Sequence, residues 1–122
     1  MANYLLQVTY APQAWAALVD EPQNRTEAVQ GAVEQLGGIV HSTWLAFGDY
    51  DVVSIFELPD NIRAAAISMA ISAGGGVKAV KTTPLMTWEE GVEAMRAAAQ
   101  AAYQPPIGVF RSVRREDRER LE

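Results

Sequence analysis

The stretch LAFGDYDVVSIFE, residues 45–57, sets two apolar runs on either side of Gly48-Asp49-Tyr50-Asp51. Both runs are rich in β-branched and aromatic side chains, which suit a pleated, half-buried surface. Between them, glycine supplies a backbone angle that other residues resist, and aspartate bonds readily to nearby amides. The motif predicts a short turn with both carboxylates at its mouth. It joins strands over residues 39–47 and 51–58 in an antiparallel hairpin.

The chain on either side completes a layered pattern. Residues 4–10, YLLQVTY, place Tyr4, Leu6, Val8 and Tyr10 on one face and Leu5, Gln7 and Thr9 on the other, the period of a strand. PQAWAALVD at 12–20 reads as a helical turn or short helix. After Pro22, Asn24 predicts a helix start, with Glu27 three residues on reaching back to it. Ala28, Val29, Ala32, Val33 and Leu36 share one helical face, and Gly37-Gly38 stops that helix. Pro59-Asp60-Asn61 opens a second helix over 61–73, anchored by Ile67 and Ile71 and ended by the glycines at 74–76. VKAVKTT at 77–83 alternates as a fourth strand. Thr87-Trp88-Glu89-Glu90 is a capping box, and Trp88, Val92, Met95 and Ala99 continue at helical spacing.

The predicted order is β-α-β-β-α-β with an additional C-terminal helix. This is an α+β, ferredoxin-like plan: one antiparallel sheet with helices on one face. It occupies residues 1–104 as one domain. Residues 105–122, PPIGVFRSVRREDRERLE, read as an extended charged tail, disordered or weakly helical. Both faces of the strands carry apolar residues; strand two is expected to hold Ile39, Leu45 and Phe47 on one side and Val40, Trp44 and Ala46 on the other. Helices cover one side, and leaving the other wet would expose Val, Ile, Phe or Trp at about 1.5–3 kcal/mol each. A second copy of the sheet is the simplest cover, which predicts a homodimer or larger symmetric oligomer.

Composition narrows the chemistry. A chain of 122 residues, 49% hydrophobic, suits one domain with a real core. It has no cysteine, which excludes disulfides, thiolate metal sites and the commonest covalent nucleophile. Residues 1–104 carry five Lys+Arg against eleven Asp+Glu, an acidic body unsuited to nucleic acid. The opening MANYLLQVTY lacks the features of a signal peptide, and no apolar run approaches a membrane helix of about 20 residues. A cytoplasmic protein without a membrane partner is expected.

The candidate site residues each have a plain structural role and a functional one. Asp49 and Asp51 serve as turn residues, or Asp51 points into the cleft between sheet and helices as a general base or as an anchor for Arg25. Tyr50 donates to a ligand carbonyl or packs at the sheet end. His41, the single histidine, is the obvious proton carrier and by strand period shares a face with Ile39, Thr43 and Leu45. One imidazole with carboxylates makes a poor zinc or copper site, so no metal or cofactor is expected. Trp15 and Trp44 line a pocket for a flat apolar ligand or anchor the core, and the spacing of Trp88 with Val92 and Met95 assigns it to the core. SAGGGVK lacks the Gly-Lys-Ser/Thr ending of a phosphate loop. In the tail, Ile107, Val109 and Phe110 after Pro-Pro suit a segment docking on a protein partner.

YLLQVTY, Arg25 within PQNRTEAVQGAVEQLGG, then GDYDVV and VKAVKTTPLMTWEE together resemble the GYD domain family of small bacterial proteins over about residues 4–95. The family is similar to the dimeric α/β-barrel superfamily, which includes cofactor-independent monooxygenases, small isomerases, haem-dependent relatives and ligand-sensing domains. The resemblance implies a dimeric α/β barrel and attaches no established activity. Two functions are consistent with it. The first is a homo-oligomeric assembly or binding module that holds a small apolar ligand, with Arg25, Tyr50 and Trp44 as its binding residues. The second is a cofactor-independent monooxygenase or isomerase, with His41 or Asp51 taking a proton and Tyr50 or Arg25 stabilising the oxyanion. The tail departs from the short ending the resemblance implies.

Overall fold

The alternation of Tyr4, Leu6 and Val8 with Leu5, Gln7 and Thr9 becomes strand β1 (Ala2–Tyr10) in the computed structural model, which describes residues 1–106. Pro12, whose missing N–H costs nothing in a first turn, starts α1 (Pro12–Asp20) as a separate helix. Next come α2 (Thr26–Gln35), β2 (Ile39–Leu45), β3 (Val52–Leu58), α3 (Asn61–Gly74), β4 (Val77–Leu85) and α4 (Trp88–Gln100). The strands form one antiparallel sheet in the order β2-β3-β1-β4. The architecture is therefore α+β, with β1 and β3 central.

Burial separates the two faces of the sheet. Tyr4, Leu6 and Val8 of β1 lie beside Val52, Phe56 and Leu58 of β3, and all are buried against Val33 of α2 and Ala64 and Ile67 of α3. Buried polar groups in this layer have partners. The Tyr4 hydroxyl donates to Asn61 Oδ1 at 2.7 Å, and the fully buried Ser54 donates to the Ser42 carbonyl at 2.9 Å. Gly37 ends α2 with a left-handed φ of 84°. Gly38 follows because a Cβ there would lie 2.7 Å from Leu58 Cδ2 and 2.8 Å from Val33 Cγ1, and would also meet the Glu57 carbonyl oxygen.

Several expectations change in detail. The pairing of β2 with β3 slips between Val40 and Ser42, a bulge that reverses the alternation beyond it. Ile39 pairs with Glu57 and Trp44 with Val53, on the face away from α2 and α3. Thr43 and Leu45 pair with Ser54 and Val52, on the helix side. The simple period, which put Leu45 with Ile39 and His41 with Thr43, fails at this point. The strands also stop short of the motif, so Phe47 lies in the connection, fully exposed, and not in β2. The expected capping box at Asn24 does not form; Asn24 Oδ1 accepts from Thr26 N–H at 2.9 Å, while α2 begins after Arg25 with no side-chain cap.

Residues Met1–Met86 form one compact unit and a second begins at Thr87. In the second, Thr87 and Glu90 make the predicted reciprocal cap of α4: Glu90 N–H donates to Thr87 Oγ1 and Thr87 N–H to Glu90 Oε1. Trp88 is 81% exposed, so it is no core anchor despite its helical spacing. No helix among the described residues is long and apolar enough to cross a membrane. The docking segment read at 107–110 lies outside the described residues.

Candidate functional site: an aromatic cleft behind the Gly-Asp-Tyr-Asp connection

The connection between β2 and β3 is built by the motif that predicts it. Gly48 takes a φ of 147°, a region that favours glycine, and Ala46 N–H donates to the Asp51 carbonyl at 2.7 Å to close the loop. The loop is also stitched to β1. Asp51 N–H donates to the Val8 carbonyl at 2.8 Å, and the Thr9 hydroxyl donates to the Asp49 carbonyl at 3.0 Å.

The Asp51 side chain performs a longer-range task than capping its own turn. Its Oδ2 accepts from Tyr10 N–H at 2.8 Å and from the Trp15 indole N–H at 3.2 Å. One carboxylate oxygen thus clamps the end of β1 and the first turn of α1 to the start of β3. The Trp15 ring is held edge-on to Tyr10, with centroids 5.4 Å apart and planes at 88°. Sequence spacing gave no sign that Trp15 and Asp51 would meet, because the contact joins segments 36 residues apart.

This corner forms one wall of a cleft of about 500 Å³. Trp15 and Leu18 of α1, Val29 of α2, and Leu45 and Val52 of the sheet supply apolar walls, with Arg25, Gln23 and Asn24 from the α1–α2 connection at the rim. A second cleft of about 410 Å³ continues beneath the helices and shares Tyr10, Leu18, Gln23, Arg25, Val29 and Val52 with the first. Both volumes lie in the range of small-molecule sites, about 300–1,000 Å³.

The five residues singled out from sequence divide between four places. Arg25 and Trp44 line the first cleft. Asp51 stands behind it, bonded to two of its lining residues. Tyr50 is half-buried in the connection and lines neither cleft. His41 is on the opposite side of the sheet, where Nε2 meets Glu57 Oε2 at 2.6 Å. Arg25 does not pair with Asp51; its Nη1 instead donates to Gln23 Oε1 at 3.5 Å. The bulge explains the separation, since Ile39 and the His41–Glu57 pair occupy the face turned away from the clefts.

Among curated proteins, no sequence matches the chain. The GYD domain model matches residues 4–95, a span that takes in β2, β3, β4 and all but the first two residues of β1, with the Gly-Asp-Tyr-Asp connection and both clefts. On that match, the chain belongs to the GYD domain family.

Proposed function

We propose that the protein is a homo-oligomeric module that binds a small apolar molecule in the cleft between α1, α2 and the sheet. The observation that carries this reading is the cleft of about 500 Å³ whose aromatic corner, Tyr10 and Trp15, is fixed in place by Asp51. A preformed, mostly apolar concavity with a few polar groups at its mouth is the usual form of a ligand site. Binding is favoured over proton transfer because His41 lies across the sheet from Arg25, while the Asp51 oxygen that faces Trp15 already holds two N–H donors. A base and an oxyanion donor are therefore not paired within one subunit.

Assembly completes the reading. Ile39, Trp44 and Ile55 are 55%, 66% and 37% exposed on the sheet face opposite α2 and α3, and Phe47 is fully exposed nearby. The ferredoxin-like plan, with strand order β2-β3-β1-β4, allows two copies to close these faces on each other as a dimeric α/β barrel. The two edges differ as well. β4 carries Lys78, Lys81 and Pro84, which discourage strand addition, whereas β2 carries exposed Ile39, Trp44 and Leu45.

Calorimetric titration with a neutral planar probe, 2-naphthamide, tests the binding reading. Saturable binding, one probe per chain, is expected, and Leu18→Trp should abolish it by filling the cleft. Absence of saturable binding by this probe and by its carboxylate analogue at any attainable concentration contradicts it.

A further inference from the structure

Arg25 is the one charged side chain among the described residues that line either cleft, in a chain whose formal net charge is −5. The polar groups around it share a bias. Asn24 uses its carbonyl oxygen on Thr26 N–H, and Gln23 uses its own on Arg25 Nη1. Most of what remains unspent on these three side chains is donors: the rest of the Arg25 guanidinium and the two carboxamide NH2 groups, against one lone pair on each carbonyl oxygen. Neither NH2 donates to a partner among the described residues, and Arg25 forms no ion pair among them. A guanidinium presents five N–H donors in a planar fork that matches a carboxylate, so such a rim selects a group that only accepts.

From this we infer that the cleft is specific for a planar apolar carboxylate, its ring against Trp15 and Val29 and its anionic group on Arg25, with Gln23 and Asn24 donating alongside. The inference rests on the binding reading above and adds the charge and the donor pattern to it. Asp51 keeps its charge, but it lines neither cleft and its Oδ2 is turned to Tyr10 N–H and the Trp15 indole, so it makes no direct contact with the anion. In an acidic protein, a lone arginine at an apolar mouth also works by exclusion. A neutral amide in the same place sets its own NH2 against the donors of the rim, which leaves polar groups unpaired.

The test compares 2-naphthoate with 2-naphthamide, two probes of the same shape that differ in the anionic group, by calorimetry on the full chain at neutral pH. Naphthoate is expected to bind about 10- to 100-fold more tightly than the amide, the usual range for a charge-assisted hydrogen bond. Arg25→Gln should erase that preference by weakening naphthoate far more than the amide, and Arg25→Lys should restore part of it. Arg25 is exposed, so neither substitution removes core packing, and matching thermal melts verify the fold. If the amide binds as tightly as naphthoate, or if Arg25→Gln weakens both equally, the carboxylate assignment is overturned and the apolar site survives. If neither probe binds, both fail together.

Discussion

Asp51 is the residue on which the site depends. Tyr10 N–H and the Trp15 indole N–H converge on one of its oxygens, and both donors would lose their partner without it. Leaving a buried donor unmade costs about 1–3 kcal/mol, and these two part-buried donors fall toward the lower end. Asp51→Ala is therefore expected to destabilise the fold by about 1–3 kcal/mol, measured by urea denaturation. It should also free the Trp15 ring, with a red-shifted indole emission. Asp51→Asn keeps one carbonyl acceptor and should lose less. Equal stability of the alanine variant and the parent would show that the clamp carries no weight. From sequence, Asp51 stood out as a turn carboxylate or a base. Its partners were hidden because hydrogen bonds across 36 or 41 positions follow from strand pairing, which no local spacing encodes.

At the level of the element, local chemistry was legible and register was not. The glycines at 37 and 48 sit where a positive φ is required, and the Thr87–Glu90 box forms as read. These features depend on residues within a few positions of each other, so the sequence displays them directly. β2 is different: its bulge falls on the polar run His41-Ser42-Thr43, where no hydrophobic alternation fixes the register. Its Ser42 carbonyl is met by the hydroxyl of Ser54, and Thr43 Oγ1 lies 3.1 Å from the same hydroxyl. That single slip moves His41 away from the clefts and dissolves the site that a regular strand would have suggested. The cap of α4 carries its own prediction. The hydrogen bond from Thr87 N–H, with the Thr87 side chain next, lowers the Glu90 carboxyl below its ordinary 4.5. A carboxyl lowered in the folded state stabilises the helix above its ordinary value, and that contribution is lost as pH falls through the lowered one. The Glu90 side-chain carbon, followed by NMR, should therefore titrate with a midpoint below 4.5, and Thr87→Ala should move it upward. A midpoint at or above 4.5 in the parent protein would refute the cap as drawn.

Within Met1–Met86, α2, α3 and one sheet face make the core, while the other face keeps large apolar side chains exposed. Tyr4, Leu6, Phe56, Leu58 and Ile67 are essentially inaccessible, whereas Ile39, Trp44 and Ile55 on the other face are 55%, 66% and 37% exposed. The excess of apolar positions on both sides of the strands was readable from composition and period, and it is the reason a second copy enters the account. Trp44 belongs to both halves of the proposal, since it lines the first cleft and is paired with Val53 on the far face. Trp44→Glu is accordingly expected to dissociate the assembly while leaving the urea midpoint of the separated subunit within the range of an ordinary surface substitution. Native mass spectrometry of the parent protein under gentle conditions tests the self-assembly most directly. The account predicts an even multiple of the subunit mass, collapsing to single subunits on denaturation. A single subunit persisting at high micromolar concentration would contradict it.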